Sequence, residues 1–222
     1  MDLILILLII GVPALASLGV RTTYSKYSKI QNRKNKTGAE VAREILDKNG
    51  LSNIYVVATD GTLTDHYDPT RKVIRLSKAI YEGSSVASMA VAAHECGHAI
   101  QDKDGYVPLR IRSAIYPVVN AATSIAYWII FIGFIFQAAD LIYLGIAFTV
   151  LGLLFQIITL PVEFNASSRA KQIVKKLGIA SSYDEEGVKN MLTAAALTYV
   201  AGVIASAMQI LRLLLIANDR RR

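Results

Sequence analysis

The sequence is poor in cysteine and in histidine, and both shortages limit what the chain can do. Its 222 residues contain a single cysteine, Cys96, so no disulfide can form within the chain. They contain only 3 histidines, and none of these lies after His98. A metal site that takes a ligand from the second half of the chain must therefore take it from another residue type, above all a carboxylate.

The chain also lacks a basic patch interleaved with aromatic residues, the pattern that stacks nucleic-acid bases. Its 24 Lys and Arg exceed its 17 Asp and Glu, which gives a formal net charge of +7. The basic residues are concentrated just after the first apolar run and at the tip, residues 220–222. We interpret this charge as a determinant of membrane topology and as an attraction to anionic lipid, and we expect no nucleic-acid partner.

No internal repeat and no low-complexity linker divides the chain; long apolar runs divide it instead. The hydrophobic fraction is 53%, above the average of soluble domains. Stretches of about 18 or more apolar residues are long enough to span a bilayer as helices. We therefore predict a mainly α, multi-spanning α-helical membrane protein. Its apolar runs cover residues 3–20, 118–139, 141–160 and 191–211.

A secretory signal typically has basic residues before its apolar run, and this chain has none there. The positive-inside rule, applied to the basic residues that follow, places residue 21 onward in the cytoplasm and predicts an N-terminal transmembrane anchor over residues 1–20. The triplet Ala14-Leu15-Ala16 resembles a signal-peptidase site, so a cleaved signal is the alternative. The basic residues are Arg21, Lys26, Lys29, Arg33, Lys34 and Lys36.

The later runs predict a transmembrane hairpin over residues 116–160, interrupted by Asp140 and closed by Pro161. Because a hairpin returns to the side it left, residues 161–191 belong with the cytoplasmic part at 21–115, and we expect residues 163–186 to be helical. The last stretch, 192–217, either spans the membrane or lies against it. Spanning would place the tri-arginine tip outside, against the positive-inside rule.

Residues 21–115 are predicted to form a cytoplasmic α+β catalytic part. A helix is expected from Thr37 to Lys48, ended by Asn49-Gly50. Strands are expected at 54–58 and 72–77. Ser84 or Ser85 is then expected to cap a helix that runs through Ile100. By analogy with zinc proteases in general, the strand at 73–76 is a candidate sheet edge for binding an extended peptide.

The motif His94-Glu95-Cys96-Gly97-His98 carries the chemistry. On a helix, positions i and i+4 share a face, so both imidazoles can bind one zinc ion. Glu95 is offset by one residue and is expected to act as the general base on a zinc-activated water. Cys96 faces away from that site and is interpreted as a small core residue.

A catalytic zinc has three protein ligands and one open position, so a third ligand is needed. The candidates on the same side of the membrane are Glu163, Asp184, Glu185 and Glu186. We expect Glu163, because it directly follows the returning hairpin and so lies beside the motif helix. The other three resemble a solvated helix start.

These residues carry a resemblance to the bacterial YugP-type neutral zinc membrane metallopeptidases over nearly the whole chain. It rests on Asp65–Pro69, the motif with Gly97 and Gln101, Leu160–Phe164, and Ala196–Tyr199. The resemblance implies a zinc-dependent peptidase in the cytoplasmic membrane. The Glu-Phe-x-Ala stretch also resembles the third-ligand segment of the heat-shock membrane metalloproteases. There an Asp stands where this chain has Ser167, so the residues that support the ligands must differ here. Asn165 or Ser167 is a candidate to orient His94 or His98; the alternative is that both lie on an ordinary helix surface.

The sequence thus predicts a zinc-dependent metalloendopeptidase with a zincin-like catalytic part facing the cytoplasm. Its expected partners are the lipid bilayer and protein or peptide substrates in or near the membrane, and membrane-protein turnover is the expected setting. The alternative is a non-catalytic zinc-binding membrane protein, an assembly factor or sensor, which would not need Glu95. A transporter is disfavoured, since its ionisable residues would lie within the spans.

Overall fold

The computed structural model describes residues 2–219, which are mainly helical. Four of the described helices are long and apolar enough to cross a membrane, which confirms the prediction of a mainly helical chain with several candidate spans. The tri-arginine tip lies outside the described residues. In chain order the elements are α1 Asp2–Tyr27, α2 Gly38–Lys48, β1 Tyr55–Thr59, β2 His66–Asp68, β3 Val73–Ser77, α3 Lys78–Tyr81, α4 Val86–Lys103, α5 Val107–Ile135, α6 Ala139–Lys176 and α7 Ser182–Asp219.

The chain divides into two compact units. The first, called here the apolar unit, comprises Met1–Ser17, Val107–Pro161 and Leu197–Arg222. Many of its large apolar side chains point outward, among them Leu3, Trp128 and Phe136, which are 68%, 67% and 74% exposed. Such surfaces suit a lipid environment rather than water. The second, called the motif unit, comprises Leu18–Tyr106 and Val162–Ala196 and contains the His-Glu-x-x-His motif.

Helix α2 begins where the sequence predicts it. The Thr37 hydroxyl accepts from the Glu40 N–H at 3.2 Å, and the Glu40 carboxylate accepts from the Thr37 N–H at 2.8 Å. This capping box satisfies two amides that a helix start otherwise leaves unpaired. Gly50 ends the helix with a φ of +68°, a conformation that glycine adopts without a steric penalty. The buried face of α2 packs into the core of the motif unit.

A three-stranded sheet in the order β1-β3-β2 lies in the motif unit. β1 runs parallel and β2 antiparallel to β3. The predicted strands at 54–58 and 72–77 are confirmed as β1 and β3, while β2, only three residues long, was not predicted. The expectation that residues 73–76 form an open edge is wrong, because β3 is paired on both sides. Its burial reflects that central position, with Ile74 and Leu76 fully buried.

Helix α4 is capped by Ser85, one of the two serines predicted for that role; its hydroxyl accepts from the Ser88 N–H at 3.0 Å. Most of the helix is buried, with its many alanines allowing other elements to pack closely around it. The motif is therefore held on a rigid helix at the centre of the unit rather than on a loop.

Pro161 was expected to close the hairpin, but it does not end the helix, because α6 continues through it to Lys176. A proline inside a helix costs about 3 kcal/mol, but the turns after it are held by packing, with Val162, Ala166 and Ala170 fully buried. Tertiary packing of this kind outweighs local propensity.

The predicted helix over 163–186 is interrupted. α6 ends at Lys176, Gly178 adopts a φ of +62°, and α7 begins at Ser182. The Ser181 hydroxyl accepts from the Asp184 N–H at 3.3 Å, and the Asp184 carboxylate accepts from the Ser181 N–H at 3.0 Å. Asp184 is fully buried in this cap, so the expectation of a solvated start is wrong for that residue.

Candidate metal centre

The two motif histidines lie one turn apart on α4, as the spacing predicts. Their ring centroids are 4.8 Å apart with an interplanar angle of 84°. The His94 side chain is 15% exposed and that of His98 11%. The two rings therefore converge on a largely enclosed point, with His94 at the more open side.

Glu163 reaches the same point from α6. Its Oε2 atom lies 3.2 Å from His94 Nε2 and 3.5 Å from His98 Nε2. The Glu163 side chain is only 3% exposed. Three metal-ligating side chains from two segments of the motif unit thus meet, and their ligand atoms all lie within 4.8 Å of one another.

The donor set and its spacing fit a zinc ion. Zinc binds histidine nitrogen and carboxylate oxygen at about 2.0–2.2 Å in a tetrahedral arrangement. Neighbouring ligand atoms of such a tetrahedron are about 3.3–3.6 Å apart, from the same bond lengths. Of the two separations between the Glu163 oxygen and the imidazole nitrogens, 3.2 Å lies just below that range and 3.5 Å within it. Two imidazoles and one carboxylate also leave a fourth position open, which is typical of catalytic rather than structural zinc sites.

Both imidazoles are held from behind, at the nitrogen that points away from Glu163. His94 Nδ1 lies 3.2 Å from the Ser167 hydroxyl. His98 Nδ1 donates to the Gln101 side-chain oxygen at 3.0 Å. Both contacts orient a ligating imidazole, and the bond from His98 Nδ1 also leaves Nε2 of that ring for the metal. Of the two residues proposed from the sequence to orient the histidines, Ser167 contacts His94 directly, whereas Asn165 hydrogen-bonds to Gln101.

Gln101 was not recognised as a supporting residue from the sequence. Its position three residues after His98 is the signal that was available, since i and i+3 share a helix face. It is fully buried, and its side-chain nitrogen donates to the backbone carbonyl of Val162 at 2.8 Å.

Gly97 allows the two helices to meet closely behind the site. A Cβ atom placed on Gly97 would lie 2.6 Å from the backbone oxygen of Ala166. Real Cβ atoms essentially never approach an atom so closely, so any larger residue here would push α4 and this part of α6 apart. The close approach sets how far Glu163 can reach toward the two histidines.

The electrostatic surroundings favour a bound cation. Burial by itself lowers the pKa of His98, but the hydrogen bond to Glu163 and the charge of Glu95 outweigh it, so the pKa lies above its ordinary value. A metal ion bound at Nε2 would displace that proton and take over the interaction with the carboxylates. Glu95 itself is 7% exposed.

Cys96 takes no part in the cluster. It is fully buried, and its thiol donates to the backbone oxygen of Ala42 at 3.6 Å. Burial raises its pKa well above the ordinary value, so the sulfur stays protonated, in agreement with its interpretation as a core residue.

Of the three other carboxylates considered as third ligands, Asp184 and Glu185 are engaged elsewhere, and Glu186 is exposed. Asp184 accepts from the Ser181 hydroxyl at 2.7 Å and lies within 3.4 Å of the Arg33 N–H. Glu185 pairs with Lys175 at 3.1 Å. Among the described residues, the group of His, Cys, Asp and Glu side chains close enough to share a metal contains His94, His98 and Glu163.

Comparison with known proteins agrees with this geometry. A family model described as "Putative neutral zinc metallopeptidase" matches residues 2–218. The chain is also 46% identical over 212 residues to a Bacillus subtilis (strain 168) protein named "Putative membrane protease YugP", covering 96% of this chain and 94% of that protein. No solved structure matches. The chain therefore belongs to the neutral zinc metallopeptidase family that this model describes.

Proposed function

We propose that the protein is a membrane-embedded, zinc-dependent metalloendopeptidase whose metal ligands are His94, His98 and Glu163. The observation that carries the proposal is the meeting of one carboxylate with two imidazoles at distances that suit tetrahedral zinc. The family membership and the name of the Bacillus protein support the same activity. The helix that carries the motif, packed with a small mixed sheet, is the basis for regarding the motif unit as zincin-like.

A zinc ion held by these residues would supply a Lewis acid, which acidifies water and polarises a peptide carbonyl. The remaining chemistry belongs to the chain. Glu95 follows the first histidine and is the proposed general base: it takes a proton from the attacking water and passes it to the departing amine nitrogen. Its nearly complete burial places that carboxylate in surroundings that exclude most water.

The substrates proposed are proteins or peptides in or near the membrane, cleaved within the chain. One candidate span, Ala139–Lys176, carries Glu163, and another, Val107–Ile135, begins soon after the motif helix ends at Lys103. The basic residues between 21 and 36 favour a cytoplasmic position for the motif unit. Turnover of membrane proteins is the setting that we propose on these grounds.

A non-catalytic zinc protein, an assembly factor or sensor, would use the same three ligands. Glu95 distinguishes the two functions, since a structural or sensing site has no use for a base beside its first ligand. The purified full-length chain in detergent should hydrolyse an unfolded protein such as casein. The hydrolysis should stop when 1,10-phenanthroline is added and should resume when zinc is restored. Stoichiometric zinc with no hydrolysis of soluble or membrane-inserted polypeptides would favour the non-catalytic function.

A further inference from the structure

Gln101 connects the two segments that build the metal centre. Its side-chain oxygen accepts from His98 Nδ1 at 3.0 Å. Its side-chain nitrogen donates to the Val162 carbonyl at 2.8 Å and to the Asn165 side-chain oxygen at 3.0 Å. Val162 and Asn165 lie immediately before and two residues after Glu163 on α6. One fully buried amide therefore holds a histidine of the motif and the turn that carries the carboxylate.

The direction of these hydrogen bonds is fixed by their chemistry. The Asn165 side-chain oxygen also accepts from Arg169 Nε at 2.8 Å, and an arginine can only donate. The Val162 carbonyl can only accept. The nitrogen of Gln101 must face both of these acceptors, so its oxygen must face His98.

Since that oxygen can only accept, His98 Nδ1 carries a hydrogen and Nε2 remains available for a metal. Ser167 has no such effect on His94, because a hydroxyl can donate or accept and so permits either tautomer.

We infer that Gln101 is a positioning residue of the metal centre, which selects the Nδ1–H form of His98 and ties the Glu163 turn to the motif helix. The inference rests on the proposed zinc site but does not depend on peptide hydrolysis. Supporting hydrogen bonds of this kind typically contribute 10–100-fold to metal affinity. Gln101 contributes through both ligand segments at once, so we expect its loss to weaken zinc binding by about 100-fold, the upper end of that range.

The test compares the full-length protein with Gln101→Met, which preserves length and apolar volume but removes every hydrogen bond. Zinc affinity is measured by competition with a chelating dye. Labelling with 15N-histidine then reports the imidazoles in the zinc-loaded protein, which is practicable because the chain has only 3 histidines. The wild type should show a downfield, slowly exchanging Nδ1–H proton on His98. In Gln101→Met this proton signal should be absent and zinc affinity should be about 100-fold lower.

Gln101→Glu separates positioning from packing. A carboxylate still accepts from His98 Nδ1, so the proton signal should return and move further downfield, while the lost donation to Val162 leaves zinc affinity below wild type. Gln156→Met is the matched control: it removes the amide that hydrogen-bonds to Ser206 and leaves Gln101 in place, so affinity should be unchanged.

Wild-type affinity with an unchanged proton signal in Gln101→Met would overturn the inference. If that variant does not fold, an unshifted His98 signal in Gln101→Glu would overturn it equally. A chain that shows the predicted zinc affinities and proton signals but never hydrolyses a peptide bond would refute the proposed peptidase and leave the role of Gln101 intact.

Discussion

The Glu163 carboxylate lies 3.2 Å from His94 Nε2, although 69 positions separate the two residues in the chain. A buried carboxylate beside the half-buried His94 and the buried His98 is costly unless its charge is compensated. A divalent cation at the point where the three side chains converge would provide that compensation. The predictions below test the ligands, the packing behind them, the metal and the topology.

Replacing Glu163 with alanine should weaken zinc binding by on the order of 100-fold or more, since a ligand is worth at least as much as its supporting partner. Peptide hydrolysis should disappear with the metal. Glu185→Ala is the control, because Glu185 was a rival third ligand by sequence but pairs with Lys175 instead. Zinc content measured after dialysis should fall in the first variant only. Equal loss in both variants would contradict the assignment of Glu163.

Gly97→Ala should disturb the site without touching any ligand. The added methyl would meet the Ala166 carbonyl at 2.6 Å, and overpacking of this kind costs about 1–3 kcal/mol. We expect lower thermal stability and weaker zinc binding, because α4 and the Glu163 segment must move apart. Gly11→Ala, which has no neighbouring atom within 4 Å of the added carbon, should change neither property.

Removing the metal should lower the melting temperature of the full-length protein. A ligand that binds only the folded state stabilises it, by about 2.7 kcal/mol when its concentration is 100 times its dissociation constant. Thermal unfolding in detergent with and without 1,10-phenanthroline measures this difference. Glu163→Ala should unfold at the same temperature with or without the chelator, and a chelator effect of wild-type size in that variant would show that the metal is bound elsewhere.

The topology can be read by cysteine labelling, because the native Cys96 is fully buried and contributes no background. Lys48→Cys and Lys175→Cys both place an exposed thiol in the motif unit, and neither should react with an impermeant maleimide added to intact cells. Gln137→Cys, exposed between α5 and α6, should react. Labelling at both lysine positions would show that the proposed orientation is inverted. Labelling at only one would contradict the predicted hairpin, because the two positions would then lie on opposite sides of the membrane.

The sequence predicted the features that depend on local periodicity and spacing. The long apolar runs predicted the candidate spans, and Thr37 with Glu40 predicted the start of α2. The four-residue spacing of His94 and His98 placed both on one helix face. Because no histidine follows His98, a carboxylate was predicted as the third ligand. The structure places Glu163 beside both histidines, and its binding of zinc stays a prediction.

Features that depend on tertiary packing could not be predicted in the same way. Pro161 signals a helix end locally, yet buried residues on the following turns keep α6 continuous. The sequence around Asp184 resembles that of a surface acid, but the residue is buried, and its carboxylate accepts a hydrogen bond from the Ser181 N–H. The order of the strands depends on pairing between separate segments, so the central position of β3 could not be predicted, and the short β2 has too few residues to show a period.

The most direct test of the account is a paired measurement of zinc content and peptide hydrolysis in Glu95→Gln. The substitution keeps the volume of the buried side chain and removes the base, while His94, His98 and Glu163 remain. Zinc should stay at wild-type stoichiometry and hydrolysis should fall by a factor on the order of 100 or more. Hydrolysis at the wild-type rate would contradict the proposed mechanism, and loss of zinc would make Glu95 a ligand instead.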